Sequence, residues 1–337
     1  MTRAKWLLIG GETLAGKEIR EMVEERKLPI ELALASAEAS ERILTESDGE
    51  LFVIAPLDAA AVEESTVVIL AGAAATHRLA REMVLASKSK NRPALVDATG
   101  ALEDLPEARL CAPVLEHMPA PGENFIYVPA HPVAVALARL LKALKATPAV
   151  EAVVTVFEPA SERDKPGIDE LHKQVVNLFS FQALPKAVFD AQTAFNLLPR
   201  YGDDAPVSLA SVQSRIEDEL ASLAAPLGLT PPSIKLVHAS VFHSYTMSVW
   251  LRFADAGADA NAVSSALAEA GFEVRGNDVE PGSNSGVASQ SGITVSDVGA
   301  DRTNPKACWL WVAFDNLRAR ADNALLTAAL LSREAKK

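Results

Sequence analysis

A helix start is the point of this chain where the residue type matters most for chemistry, and a histidine holds it. Phe125-Ile126-Tyr127-Val128-Pro129-Ala130-His131-Pro132-Val133 reads as a strand, a sharp break and a helix running through Leu144. The unsatisfied N–H groups and the dipole at such a point favour an anion, whether a thiolate or an oxyanion. A second set lies at His238 and in Val241-Phe242-His243-Ser244-Tyr245-Thr246. It offers imidazoles and a phenol, and a neutral phenol with a pKa of about 10 is a poor base near neutrality. A third is the turn Gly10-Gly11-Glu12-Thr13-Leu14-Ala15-Gly16. A dinucleotide fingerprint needs one glycine for the turn, one so that backbone can reach the pyrophosphate, and one for helix–strand packing. Gly10 and Gly16 suit the first and third roles, whereas Thr13 holds the middle one and Glu12 adds a negative charge. Leu34-Ala35-Ser36, at the next strand end, offers no carboxylate for a ribose diol and no Arg for a 2′-phosphate. Gly10, Gly11, Thr13, Gly16 and Ser36 are therefore the candidate cofactor contacts, with an inherited turn that only packs a helix as the alternative.

These groups need elements to carry them. Trp6–Ile9, Ile30–Ala35, Thr66–Ala71 and Ala94–Asp97 read as short strands, separated by helices over Leu14–Glu25 and Thr76–Ser87. That pattern predicts an α/β fold with an N-terminal Rossmann-like parallel sheet covered on both faces. Beyond residue 129 the grain changes. Ala149–Phe157, Ile234–His243, Thr246–Phe253 and Ala307–Phe314 are longer strand patterns, and helices are predicted from Ile168 and over Ala260–Ala270, with Gly271 as a stop. They predict a C-terminal α+β domain with a mixed, largely antiparallel sheet. Glu158–Gly167 reads as a charged Pro/Gly stretch, and Asn277–Gly299 as an irregular excursion. The predicted domains are 1–128, completed by the helix of 316–337, and 129–315.

The 337 residues are 49% hydrophobic but only 5% aromatic, so aliphatic side chains and alanine must form most of the core. A formal charge of -12 with no useful Lys/Arg run argues against a nucleic-acid groove. No apolar stretch reaches the roughly 20 residues needed to span a bilayer, and no signal-peptide pattern precedes Trp6. Cys111 and Cys308 form no CxxC pair, which fits a reducing, cytoplasmic compartment. His77, His117 and His172 read as solvated helix or loop residues.

Ala194-Phe195-Asn196-Leu197-Leu198-Pro199 resembles the AFNxxP segment of the aspartate-semialdehyde dehydrogenase family. Asp315-Asn316-Leu317-Arg318 through Ala321, Asn323 and Ala324 resembles its closing DNLRxGAxxNA motif. Together with the N-terminal turn, the resemblance covers nearly the full length. It implies a homodimer built on the second domain, and an ancestry in which aspartyl phosphate is reduced with NADPH through a cysteine thioester.

The catalytic positions depart from that pattern. The family's nucleophile follows a Pro-Asn step at a helix start, where this chain has Pro129-Ala130-His131-Pro132. Its substrate-binding Arg, seven residues before its catalytic His, corresponds to His238, and that His to Tyr245. Its acyl-orienting Gln corresponds, within a residue, to Phe157. The resemblance places His131, His238 and Tyr245 around one relic pocket, with His243 nearby on an alternating strand. They would suit a small anionic ligand. A metal is not expected, since no HExxH-like spacing occurs and zinc wants a third good ligand. The pattern is similar to the family's non-catalytic bacterial homologues, and it predicts for this chain a role in binding or protein interaction. The alternative is an NADP-dependent oxidoreductase with an atypical site.

Overall fold

Trp6 and Leu8 point to one side of a strand and Leu7 and Ile9 to the other. All four are buried, so their sheet must be covered on both faces. The computed structural model describes residues 3–37, 43–47, 50–87, 92–119, 125–254 and 260–334. The chain divides into two units, Met1–Ala130 with Arg320–Lys337, and His131–Ala319.

The first unit contains β1 (Ala4–Ile9), α1 (Leu14–Glu25), β2 (Ile30–Ser36), β3 (Ile43–Ser47), β4 (Glu50–Pro56), α2 (Ala59–Glu64), β5 (Val67–Leu70), α3 (Ala74–Ala86), β6 (Ala94–Asp97), β7 (Ala108–Cys111) and β8 (Ile126–Pro129). Its sheet runs β3-β4-β2-β1-β5-β6-β8-β7, parallel throughout except for the β3–β4 pair. On one face Trp6 and Leu8 pack with Ile19 and Met22 of α1 and with Ala324, Leu325 and Ala328 near the C-terminus. The Trp6 indole N–H donates to Ser332 Oγ at 2.7 Å. On the other face Leu7 and Ile9 meet Val62, Ala80 and Val84 of α2 and α3. The antiparallel β3–β4 pair, α2 and β7 have no counterpart among the predicted elements.

The second unit contains α4 (Pro132–Ala143), β9 (Ala149–Glu158), α5 (Asp164–Phe179), β10 (Leu197–Leu198), α6 (Leu209–Ala224), β11 (Ser233–Ala239), β12 (Tyr245–Phe253), α7 (Ala260–Glu269), β13 (Glu273–Val274), β14 (Thr294–Ala300), β15 (Ala307–Phe314) and the start of α8 (Asn316–Glu334). Its sheet runs β10-β11-β9-β12-β15-β14-β13, with β11–β9 and β13–β14 parallel and the other pairs antiparallel. Strand alternation buries Val154, Val156, Leu236, Met247, Val249, Leu310 and Val312 on one face. The other face keeps Val153 47% and Trp309 46% exposed.

Three predictions shift here. α5 begins at Asp164, not Ile168, behind a 3-10 turn at Ala160–Arg163. Gly167 permits it, since a Cβ there would lie 2.3 Å from the Ala160 carbonyl oxygen. The supposed excursion ends at β14, where a register shift between Ser296 and Gly299 hides the strand period. α6 also went unpredicted, although Leu209, Ile216, Leu220 and Leu223 trace an apolar stripe behind the capping Ser208. No helix among the described residues is long and apolar enough to cross a membrane.

Candidate functional site

His131 is the residue immediately before α4, and Pro132 fixes the first helical φ behind it. Its Nδ1 accepts the Val133 backbone N–H at 3.2 Å, so the imidazole serves as the helix cap. An accepting Nδ1 leaves the ring proton on Nε2, which lies 3.8 Å from Glu162 Oε2. The His131 backbone N–H donates to Glu219 Oε2 at 2.5 Å, and Glu219 Oε1 accepts from Arg215 Nε at 2.8 Å. Burial holds the His131 pKa below the usual imidazole value, outweighing the opposite pull of Glu162. The edge of the Tyr245 ring lies against it, centroids 5.8 Å apart. Tyr245 itself is fully buried and packed on Phe314.

His238 belongs to a different set of contacts. Glu158, at the end of β9, receives two hydrogen bonds from Arg163 at 3.1 and 3.2 Å and one from the Tyr201 hydroxyl at 2.5 Å. Because the hydroxyl proton goes to Glu158, His238 Nδ1 donates to the Tyr201 oxygen, 3.0 Å away. His238 Nε2 is then left with a lone pair and no protein partner. Phe189 covers the ring at 4.8 Å. Burial, then the charge of Arg163, pushes the His238 pKa down to about 3. Burial raises Glu158 despite Arg163, and the nearby charge of Glu162 adds to the rise. Burial and Glu158 together raise the Tyr201 phenol. Asn316 ties the two sets through Glu162: its amide donates to Glu162 Oε1 at 2.7 Å and to Ser161 Oγ at 3.0 Å, and its oxygen accepts from Ser244 N–H at 3.0 Å.

The predicted residues are thus partly gathered. His131 and Tyr245 are ring neighbours, whereas His238 connects to them through Glu158, Arg163 and Glu162. All three are at most 4% exposed. Phe157 points to the opposite sheet face against Trp311, and the inward position of that strand end is Glu158, inside the one-residue margin. His243 is not on a strand; it lies half-buried in the β11–β12 connection, before Ser244 at φ 72°. Glu158, Glu162, Arg163, Tyr201 and Glu219 were missed, and only the charged run Glu158–Asp164 hinted at them. No group of three or more metal-binding side chains occurs among the described residues.

In the first unit Gly10 has φ 85°, and a Cβ there would lie 2.4 Å from Gly72 N. A Cβ on Gly16 would lie 2.0 Å from the Gly10 carbonyl oxygen. These glycines fill the turn and packing roles. The Thr13 hydroxyl is turned inward: it accepts from Gly16 N at 3.0 Å and lies 2.9 Å from the carbonyl oxygens of Gly10 and Ala71. Ser36 donates to Glu12 Oε1 at 3.4 Å. Arg20, 3% exposed, lies beside Gly11 and had no signal in the sequence. His77, expected in solvent, is buried with Nδ1 3.2 Å from Asp97 Oδ1. Although burial opposes it, that contact and the N–H groups of Leu102 and Thr99 hold the Asp97 carboxyl below its usual value.

The closing motif has an architectural role as well. Asp315 caps α8 by accepting from Leu317 and Arg318 N–H, and it receives Ser289 N–H. Gln174 holds the backbone N–H groups of Thr193 and Ala194, where the AFN segment begins.

Comparison with known proteins supports the fold class and the family resemblance. Residues 137–319 match the semialdehyde dehydrogenase dimerisation domain. A USG-1 protein homolog from Azotobacter vinelandii is 31% identical over 97% of either chain. An aspartate-semialdehyde dehydrogenase from Rickettsia bellii is 30% identical over 56% of either chain. The structure of aspartate semialdehyde dehydrogenase II from Vibrio cholerae, complexed with ASA, has the same fold, with a TM-score of 0.81, 20% identity and 99% of both chains covered.

Proposed function

The chain belongs to the aspartate-semialdehyde dehydrogenase family, and from that premise we propose that it is a non-catalytic homologue acting by binding or protein interaction. One observation carries the reading: where the family presents its cysteine, His131 is engaged, its Nδ1 capping α4 and its backbone N–H donating to Glu219. That side chain has no sulfur with which to hold an acyl group. Its accepting nitrogen is already engaged, and Nε2 can only donate. The residue at the base position, Tyr245, is buried in the core, and the residue at the Arg position, His238, is held neutral. A neutral imidazole cannot pair with a substrate carboxylate as a guanidinium does.

The turn at Gly10–Gly16 keeps the shape of a phosphate cradle, but Glu12 opposes a pyrophosphate there. The residues present therefore do not fit NADP. The partner supported best is a second copy of the chain, because the matched domain is a dimerisation domain and the open sheet face carries Val153, Phe157, Trp309 and Trp311. Neither cysteine is in a disulfide, which supports a cytoplasmic setting.

The runner-up is an NADP-dependent oxidoreductase with an atypical site. The half-buried His243, two residues before Tyr245, favours it as the accessible imidazole of that turn. Two measurements separate the readings. Thermal unfolding with NAD, NADP and small dicarboxylates should show no NADP-selective rise. Phosphate-dependent oxidation of aspartate semialdehyde, followed as NADPH formation, should stay at background. Turnover that disappears in His243→Ala, or a trapped acyl adduct, would install the runner-up instead.

A further inference from the structure

The start of α4 already holds a carboxylate, and the chain itself supplies it. Glu219 comes from α6, which packs against α4. It is 7% exposed, while its neighbours Glu217 and Asp218 face solvent. One carboxylate oxygen takes the His131 N–H at 2.5 Å, and the other takes Arg215 Nε, one helical turn earlier, at 2.8 Å. The ends of helices that present N–H groups are anion sites, and a charge-assisted hydrogen bond is the stronger kind. His131 Nε2, on a residue 4% exposed, is turned instead toward Glu162 Oε2, 3.8 Å away.

We propose that Glu219 is a built-in occupant of the anion position at the start of α4, and that it keeps small external carboxylates and acyl oxygens out. An incoming carboxylate would have to displace Glu219 and leave that charge buried without its N–H donor. The cost of stranding a buried charge exceeds what one new hydrogen bond returns. Arg215 balances the charge of Glu219, so the occupant needs no outside counter-ion. The proposal rests on reading this position as the remnant of an acyl-handling centre, but its test does not use turnover.

Glu219→Ala removes the carboxylate and leaves a gap that formate or acetate can fill. The thermal midpoint should fall by roughly 4–8 °C. Sodium formate or acetate should then restore it along a saturable curve, with sodium chloride at equal ionic strength restoring nothing and wild-type protein showing no such response. A wild-type midpoint in Glu219→Ala, or recovery equal with chloride and formate, overturns the assignment. If Glu219→Ala does not fold, Glu219→Gln carries the test, because it keeps the shape and an acceptor. Amide hydrogen exchange in a peptide spanning His131–Val135 should then be several-fold faster than in wild type, and an unchanged rate overturns the assignment. Semialdehyde turnover by wild-type protein would sink the non-catalytic reading alone, and a missing formate response would sink the role of Glu219 alone.

Discussion

An imidazole packed away from water sheds its proton, and this chain does that twice, at His131 and His238. The unfolded chain protonates both near pH 6.5, whereas folded His238 does so only at about 3. Between those values the unfolded state binds the extra proton, so stability rises with pH; the contribution is complete above the unfolded pKa and is lost as pH falls through the window. Glu158, raised above its ordinary 4.5, acts in the opposite sense just above that value, because there the native state holds the extra proton. Comparing variants isolates the histidine. Between pH 5 and 6 the urea unfolding free energy of His238→Phe should depend on pH less steeply than wild type, by about 1.4 kcal/mol per pH unit. Equal slopes would mean that His238 keeps its proton in the fold. Tyr201→Phe deprives Glu158 of a donor and His238 of an acceptor, and it should cost about 1–3 kcal/mol in the same measurement. His131 was legible because strand, proline break and helix start are local signals. Its partner Glu219 lies 88 residues away and was not.

Between residues and elements stand the places where backbone meets backbone. Gly16 lets α1 approach the turn from β1, and Gly16→Ala should cost about 3 kcal/mol, as overpacking does. A near-wild-type urea midpoint would show that the turn can yield. Asn316 joins Ser161, Glu162 and Ser244, the residue before β12, so Asn316→Ala should cost about 2–4 kcal/mol. An effect under about 1 kcal/mol would mean that water replaces those bonds. The strands of the first sheet could be read from their aliphatic runs. The bulged β14 could not, since a register shift destroys the alternation on which the reading depends. α6 was missed for another reason: its apolar stripe is present, but it is diluted by the exposed Ser211, Ser214, Glu217 and Asp218.

For the assembled protein, the open face of the second sheet makes the sharpest prediction. Trp309 is 46% exposed, so Trp309→Glu should change the stability of a single chain by no more than about 0.5 kcal/mol. In sedimentation velocity it should convert a dimer to a monomer. A variant that stays dimeric would move the interface elsewhere, and a monomeric wild type would refute the dimer. From residue order alone came the α/β class, one sheet buried on both faces, a second largely antiparallel sheet, and the motifs that mark the family. These follow from period, turn chemistry and capping, which act over a few residues. Only the folded chain decides that Glu158 meets Arg163, Tyr201 and His238, or that Glu219 closes over His131. Hydrogen bonds and buried charges act over a few ångströms, and periodicity tells which face a residue takes but not which distant partner will face it.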